Sequence, residues 1–142
     1  MNNSSAMQTF SNSMVVACLG ASHTEAKGGG SYDWIGDLES RPQNVSIRFV
    51  NLGVGGDLAY NALKRLPQVI QCRPNKVVVL IGTNDVVTRI FQNARRFLGT
   101  WKRLPQEPSP KWYEENLRQI ARRLNNETTE WMAIPFRRHP SQ

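Results

Sequence analysis

The chain has 142 residues, 39% hydrophobic and 20% charged, which fits one globular domain with a proper core. No run approaches the roughly 18 apolar residues needed to cross a bilayer, and the polar start MNNSSAMQTFSNS lacks the basic opening of a secretory leader. Neither a span nor export is expected, and the cytoplasm is the expected compartment. The net charge of +7 is concentrated late in the chain, from Arg95 to Arg138. With no nucleic-acid motif beside it, this reads as a solvated basic surface, and no nucleic-acid partner is expected.

Residues 1–13 read as a disordered lead-in, 14–135 as an α/β domain and 136–142 as a basic tail. Met14 to Leu19 is a continuous apolar run of strand length, as in a central strand covered on both faces. It ends in Gly20-Ala21-Ser22, where a hydroxyl appears as the run stops. Thr24 to Ser31, with Gly28-Gly29-Gly30, reads as a loop. Trp34, Ile35 and Leu38 give Tyr32 to Ser40 the spacing of a short helix. Asp33 and Asp37 on it are expected to face solvent.

Val45 to Asn51 alternates, as a strand nearer an edge would. Gly53-Val54-Gly55-Gly56 follows, then Asp57, a candidate helix cap. Leu58, Ala59, Ala62, Leu63 and Leu66 form a helical stripe that Pro67 bends or divides and Pro74 closes. Lys76 to Ile81 is a third strand ending in Gly82-Thr83-Asn84-Asp85, with Asp85 read as the next N-cap. Val87, Ile90, Phe91, Ala94 and Phe97 predict one amphipathic helix, and Leu98 to Pro110 a loop. Tyr113, Leu117, Ile120 and Leu124 predict a helix over Lys111 to Leu124, and Glu130 to Pro135 a fourth strand. This alternation predicts a parallel sheet with helices on both faces.

Cys18 and Cys72 are too few for a disulfide framework, and His23 and His139 too few for a metal centre, so no cofactor or metal is expected. Gly53-Val54-Gly55-Gly56 is not a dinucleotide fingerprint, because Leu58 stands where the third glycine belongs. Gly28-Gly29-Gly30 is not a phosphate loop, because no Gly-Lys-Ser/Thr follows it.

What remains is convergence. Parallel strands share a direction, so the three small-residue loops sit side by side above the sheet. They bring together a hydroxyl at Ser22, backbone N–H groups near Gly56 and the amide of Asn84. Those are the parts of an acyl-transfer site: an attacking oxygen and donors for the oxyanion that forms.

Gly20-Ala21-Ser22, Asn51-Leu52-Gly53-Val54-Gly55-Gly56 and Gly82-Thr83-Asn84-Asp85, in that order and each after a strand, resemble the first three blocks of the SGNH (GDSL-type) hydrolases. The match covers roughly residues 14–98. The resemblance implies a three-layer α/β/α flavodoxin-like fold and a cofactor-free esterase, lipase or acylhydrolase acting on a small ester, such as an acyl ester, a lipid or an acetylated sugar. It implies Ser22 as nucleophile, and Gly56 and Asn84 as oxyanion-hole donors.

Two departures stand out. Ala21 replaces the usual Asp before the serine. The family's late Asp-x-x-His, which supplies the base, is missing: the last Asp is Asp85, and Phe136 lies three residues before His139. His23 adjoins Ser22 and is poorly placed to reach back to it. A chain incomplete at its C-terminus is the simplest expectation, whether as a fragment, a frameshifted end or a diverged terminus. The alternatives to a serine esterase are a catalytically impaired remnant or binding module on the same fold, and a basic nucleic-acid binder.

Overall fold

The computed structural model describes residues 13–27, 31–127 and 130–133. The lead-in through residue 12, Gly28-Gly29-Gly30 and the tail with His139 lie outside the described residues.

An unbroken apolar run offers no polar face to water, and Met14–Gly20 (β1) accordingly lies inside the sheet. Ile47–Gly53 (β2) pairs with it in parallel on one side and Lys76–Leu80 (β3) on the other. Glu130–Ala133 (β4) adds in parallel to β3. The order β2-β1-β3-β4 is that of a flavodoxin-like sheet, whose switch point falls between β1 and β3.

Side chains of β1 alternate between two faces. Ala17 and Leu19 join a core with α3 (Ala59–Lys64), α4 (Leu66–Gln71) and α7 (Pro110–Glu127), through Ala62, Leu66, Val69, Ile120 and Leu124. Val16 and Cys18 face the other way, against Ile35 of α2 (Trp34–Glu39), with Ile47 and Phe49 of β2 packed alongside. The result is three layers, α/β/α. Burial, with the Glu39 carboxylate adding to it, pushes the Cys18 thiol up to about 12, which leaves Cys18 a protonated core residue.

Several elements differ from expectation. The second strand starts at Ile47, and Val45 lies outside it, 90% exposed. The one helix expected through Val87 and Phe97 is two: α5 (Thr83–Ile90) and α6 (Gln92–Trp101), separated by Phe91 in an extended conformation. No Pro or Gly marks that break, and the apolar period runs straight across it. Ile90, Phe91 and Phe97 of that stripe are exposed, whereas the buried positions of the two helices are Asp85, Thr88 and Leu98. Asp33 is an N-cap, accepting from the Gly36 N–H, and Asp37 pairs with Arg41.

Candidate active site

Register decides where the loops begin. Gly20, the last residue of β1, lies opposite Gly53 of β2 and Leu80 of β3. Three chain segments therefore leave the sheet from adjacent positions on one rim, and the Val54 N–H donates to the Gly20 carbonyl at 3.0 Å.

Ser22 opens a single helical turn, α1 (Ser22–Glu25), so the loop expected from Thr24 begins only at Ala26. The Ala21 carbonyl accepts from the N–H groups of Thr24 and Glu25 and closes that turn. Gly20 permits it. A Cβ there would overlap the Thr24 hydroxyl and lie 2.7 Å from the Leu80 carbonyl oxygen. Ser22 is exposed, and neither its hydroxyl nor its N–H makes a hydrogen bond among the described residues. Three residues on, the Glu25 carboxylate accepts from the Gly55 N–H at 2.8 Å and ties the serine turn to the second loop. The carbonyl of His23 accepts from Trp34 Nε1, and its imidazole makes no hydrogen bond to Ser22.

Gly56 has φ +77°, a left-handed conformation that costs other residues strain. The space a side chain would need there is taken by the Trp101 ring and the Lys102 stem. Its N–H has no partner among the described residues. Asn84, in the first turn of α5, donates through Nδ2 to the Asp57 carbonyl at 2.9 Å. One amide hydrogen is thus spent on the residue after Gly56, and the second is left over.

Asp57 does not cap the following helix. Its buried carboxylate accepts from Arg65 Nε at 2.8 Å and Lys102 Nζ at 2.9 Å. Arg65 also donates to the carbonyls of Leu52, at 2.9 Å, and Gly20, at 3.2 Å. One guanidinium thereby holds the ends of β1 and β2 and the start of the Gly56 segment together. The first turn of α3 is satisfied differently: Leu58 N–H donates to Asn61 Oδ1, and Ala59 N–H to Asp85 Oδ2 at 3.0 Å. Asp85 is therefore not the cap of its own helix, which begins after Gly82. Burial pushes its carboxyl up to about 7, against the lowering effect of the N–H donors of Ala59 and of Asp85 itself. Burial, and then the Asp85 charge, also raise the Tyr113 hydroxyl.

Arg65 and Lys102 are the residues sequence reasoning passes over. Both look like ordinary solvated charges. Arg65 stands beside Lys64 in the sequence, between the end of α3 and the start of α4, and its partner Asp57 is eight residues away, beyond one turn of chain. Nothing local points to Lys102, which is 45 residues from its partner.

The rim thus gathers Gly56 and Asn84 around the Asp57 backbone and links the serine turn to the same loop through Glu25. It does not join Ser22 to a base among the described residues. No group of His, Cys, Asp and Glu among them could hold a metal ion. An exposed hydroxyl on the same rim as unpaired N–H donors suits attack on an electrophilic carbon with charge developing on its oxygen.

Solved structures with this architecture include Axe2, an acetylxylan esterase from Geobacillus stearothermophilus (TM-score 0.66, 19% identity, covering 84% of this chain and 58% of that one). AlinE4, an SGNH-hydrolase family esterase, matches with TM-score 0.65 and 23% identity over 90% of this chain and 61% of its own. LAE5, an alpha/beta hydrolase enzyme from the metagenome of Lake Arreo, Spain, matches with TM-score 0.65 and 20% identity over 84% and 59%. The chain spans about three fifths of the length of these proteins. Comparison with curated protein sequences finds no match. Residues 18–140, most of the chain, match the model of the GDSL-like lipase/acylhydrolase family, and the chain belongs to that family.

Proposed function

We propose that the chain is a serine ester hydrolase domain acting through an acyl-Ser22 intermediate. The observation that carries this is the meeting on one rim of an exposed serine, the free N–H of Gly56 and the spare amide hydrogen of Asn84. Family membership supports it, as does the description of the structural neighbour Axe2 as an acetylxylan esterase. Ser22 Oγ adds to the ester carbonyl carbon, and its proton leaves to solvent or to a base. The N–H groups of Ser22 and Gly56 and the Asn84 amide receive the oxyanion. The C–O bond to the alcohol then breaks, the alcohol takes a proton, and water releases the acid from Ser22. A short acyl ester is the first substrate to test, an acetylated sugar included. Turnover that disappears in Ser22→Ala supports this reading, and turnover unchanged in that variant defeats it.

A specific observation favours a second reading, a catalytically impaired remnant or binding module. Among the described residues the Ser22 hydroxyl is hydrogen-bonded to no base. Removing a triad member in serine hydrolases costs on the order of 10⁴–10⁶ in kcat. Measurable turnover that depends on Ser22 rules this reading out.

A further inference from the structure

Along the segment from Gly53 to Ala59, backbone N–H groups are spent one after another. Gly53 donates to Asn51 Oδ1 at 2.9 Å, Val54 to the Gly20 carbonyl at 3.0 Å and Asp57 to the Val54 carbonyl at 3.2 Å. Leu58 and Ala59 donate to the side chains of Asn61 and Asp85. Gly56 is the exception among the described residues. The bond from Asp57 to Val54 closes a β-turn with Gly56 in third place, and a φ of +77° is what a type II turn demands there. A free N–H in such a turn serves an oxyanion only if the turn is held still before the charge forms.

The turn is held from both sides of Gly56. After it, Asp57 is engaged by Asn84, Arg65 and Lys102. Before it, Gly55 gives its N–H to Glu25 Oε2 at 2.8 Å. That acceptor is the side chain of the last residue of α1, the helical turn that opens with Ser22. Lys27 Nζ lies 3.6 Å from Glu25 Oε1, and the Lys27 side chain is 82% exposed. The Glu25 carboxylate does not follow it into water. It folds back onto the backbone of the second loop and is only 23% exposed. The two segments touch around it: a Cβ at Gly53 would overlap the Glu25 nitrogen, and one at Gly55 would lie 2.8 Å from Oε2. A charged acceptor makes such a bond stronger than a neutral one.

We infer that Glu25 is a positioning residue: through its bond to the Gly55 N–H it sets the Gly56 donor at a fixed reach from the Ser22 oxygen. This rests on the serine-hydrolase reading above. In that reading the attacked carbon and the oxygen that gains charge belong to one carbonyl, so nucleophile and donor must keep one separation. Glu25 ties a residue next to Gly56 to the turn that carries the serine. A misplacement of about 1 Å in such a pair can cost about 10²-fold in rate.

The test is phosphonylation of the intact protein by a fluorophosphonate, resolved into reversible binding and the covalent step. In that step the Ser22 oxygen bonds to phosphorus, the P–F bond breaks, fluoride leaves and the serine proton goes to solvent. The phosphoryl oxygen takes the place of the carbonyl oxygen at the donors. Glu25→Ala should slow the covalent step by about 10–100-fold, with the binding constant nearly unchanged. Two further variants separate reach from charge. Glu25→Gln loses the charge but keeps an oxygen at the same reach, and should label within about threefold of the parent. Glu25→Asp keeps the charge but is one methylene too short, and should label nearly as slowly as Glu25→Ala. Equal labelling of Glu25→Ala and the parent overturns the assignment and leaves the serine-hydrolase reading standing. Fast labelling of Glu25→Asp beside slow labelling of Glu25→Gln does the same. A parent chain that takes no label at Ser22 overturns that reading and the assignment with it.

Discussion

The side-chain amide of Asn84 donates to the main-chain carbonyl of Asp57 at 2.9 Å, across 27 residues of sequence. The third loop is thereby fixed to the second at the residue following Gly56. If the spare amide hydrogen serves the oxyanion, its direction is set before substrate arrives, the condition under which such donors are most effective. Asn84→Ala should lower kcat for p-nitrophenyl acetate by about 10²–10³ with little change in KM. Losing the Asp57 partner should also cost about 1 kcal/mol of stability, measured by urea unfolding.

Arg65 gives a prediction of a different kind. Its guanidinium reaches the Asp57 carboxylate and the carbonyls of Leu52 and Gly20 at once, and its side chain is only 16% exposed. Arg65→Ala leaves Asp57 still paired with Lys102 and should destabilise by about 1.5–3 kcal/mol, as expected for the loss of charge-assisted hydrogen bonds. Arg65→Lys should recover little of this, because an ammonium cannot span three acceptors in the plane of the fork. Chemical denaturation of the two variants checks both statements. Recovery of most of the stability by Lys would show that charge, and not the fork, holds the strand ends together.

The two aspartates show what local reading can and cannot deliver. Asp57 and Asp85 each stand just before an apolar helical stretch, where short-range preference suggests an N-cap. Their actual partners come from 8, 26 and 45 residues away, so a rule confined to one turn of chain could not find them. The strand ends were legible for the opposite reason. A run of branched side chains broken by glycine is a local signal, and the register of parallel strands does the rest. The split at Phe91 was invisible because hydrophobic period continues through it. Burial then goes against the period: Ile90, Phe91 and Phe97 face outward. The three strand ends on one rim were readable, and the ion cluster of Asp57, Arg65 and Lys102 was not.

Asp85 makes stability depend on pH. Its folded-state carboxyl titrates at about 7, above the ordinary carboxylate value of 3.8, because burial disfavours the charge. A raised acid pKa means the folded chain holds a proton that the unfolded chain has released. Its contribution to stability is fully present below the ordinary value and is lost as pH rises to and through about 7. Asp85→Asn keeps an oxygen for the Ala59 N–H and removes the titration. Urea midpoints measured from pH 5 to pH 8 should fall for the parent chain and stay flatter for the variant. Parallel profiles would show that Asp85 is ionised throughout.

The central claim is that Ser22 is a nucleophile, and covalent labelling tests it most directly. The intact protein is treated with a fluorophosphonate and the modified residue located by peptide mass spectrometry, with Ser22→Ala and Asn84→Ala alongside. The account predicts a single phosphonylated residue, Ser22, with no label in Ser22→Ala and slower labelling in Asn84→Ala. An unlabelled protein, or a label on another serine that persists in Ser22→Ala, would contradict it.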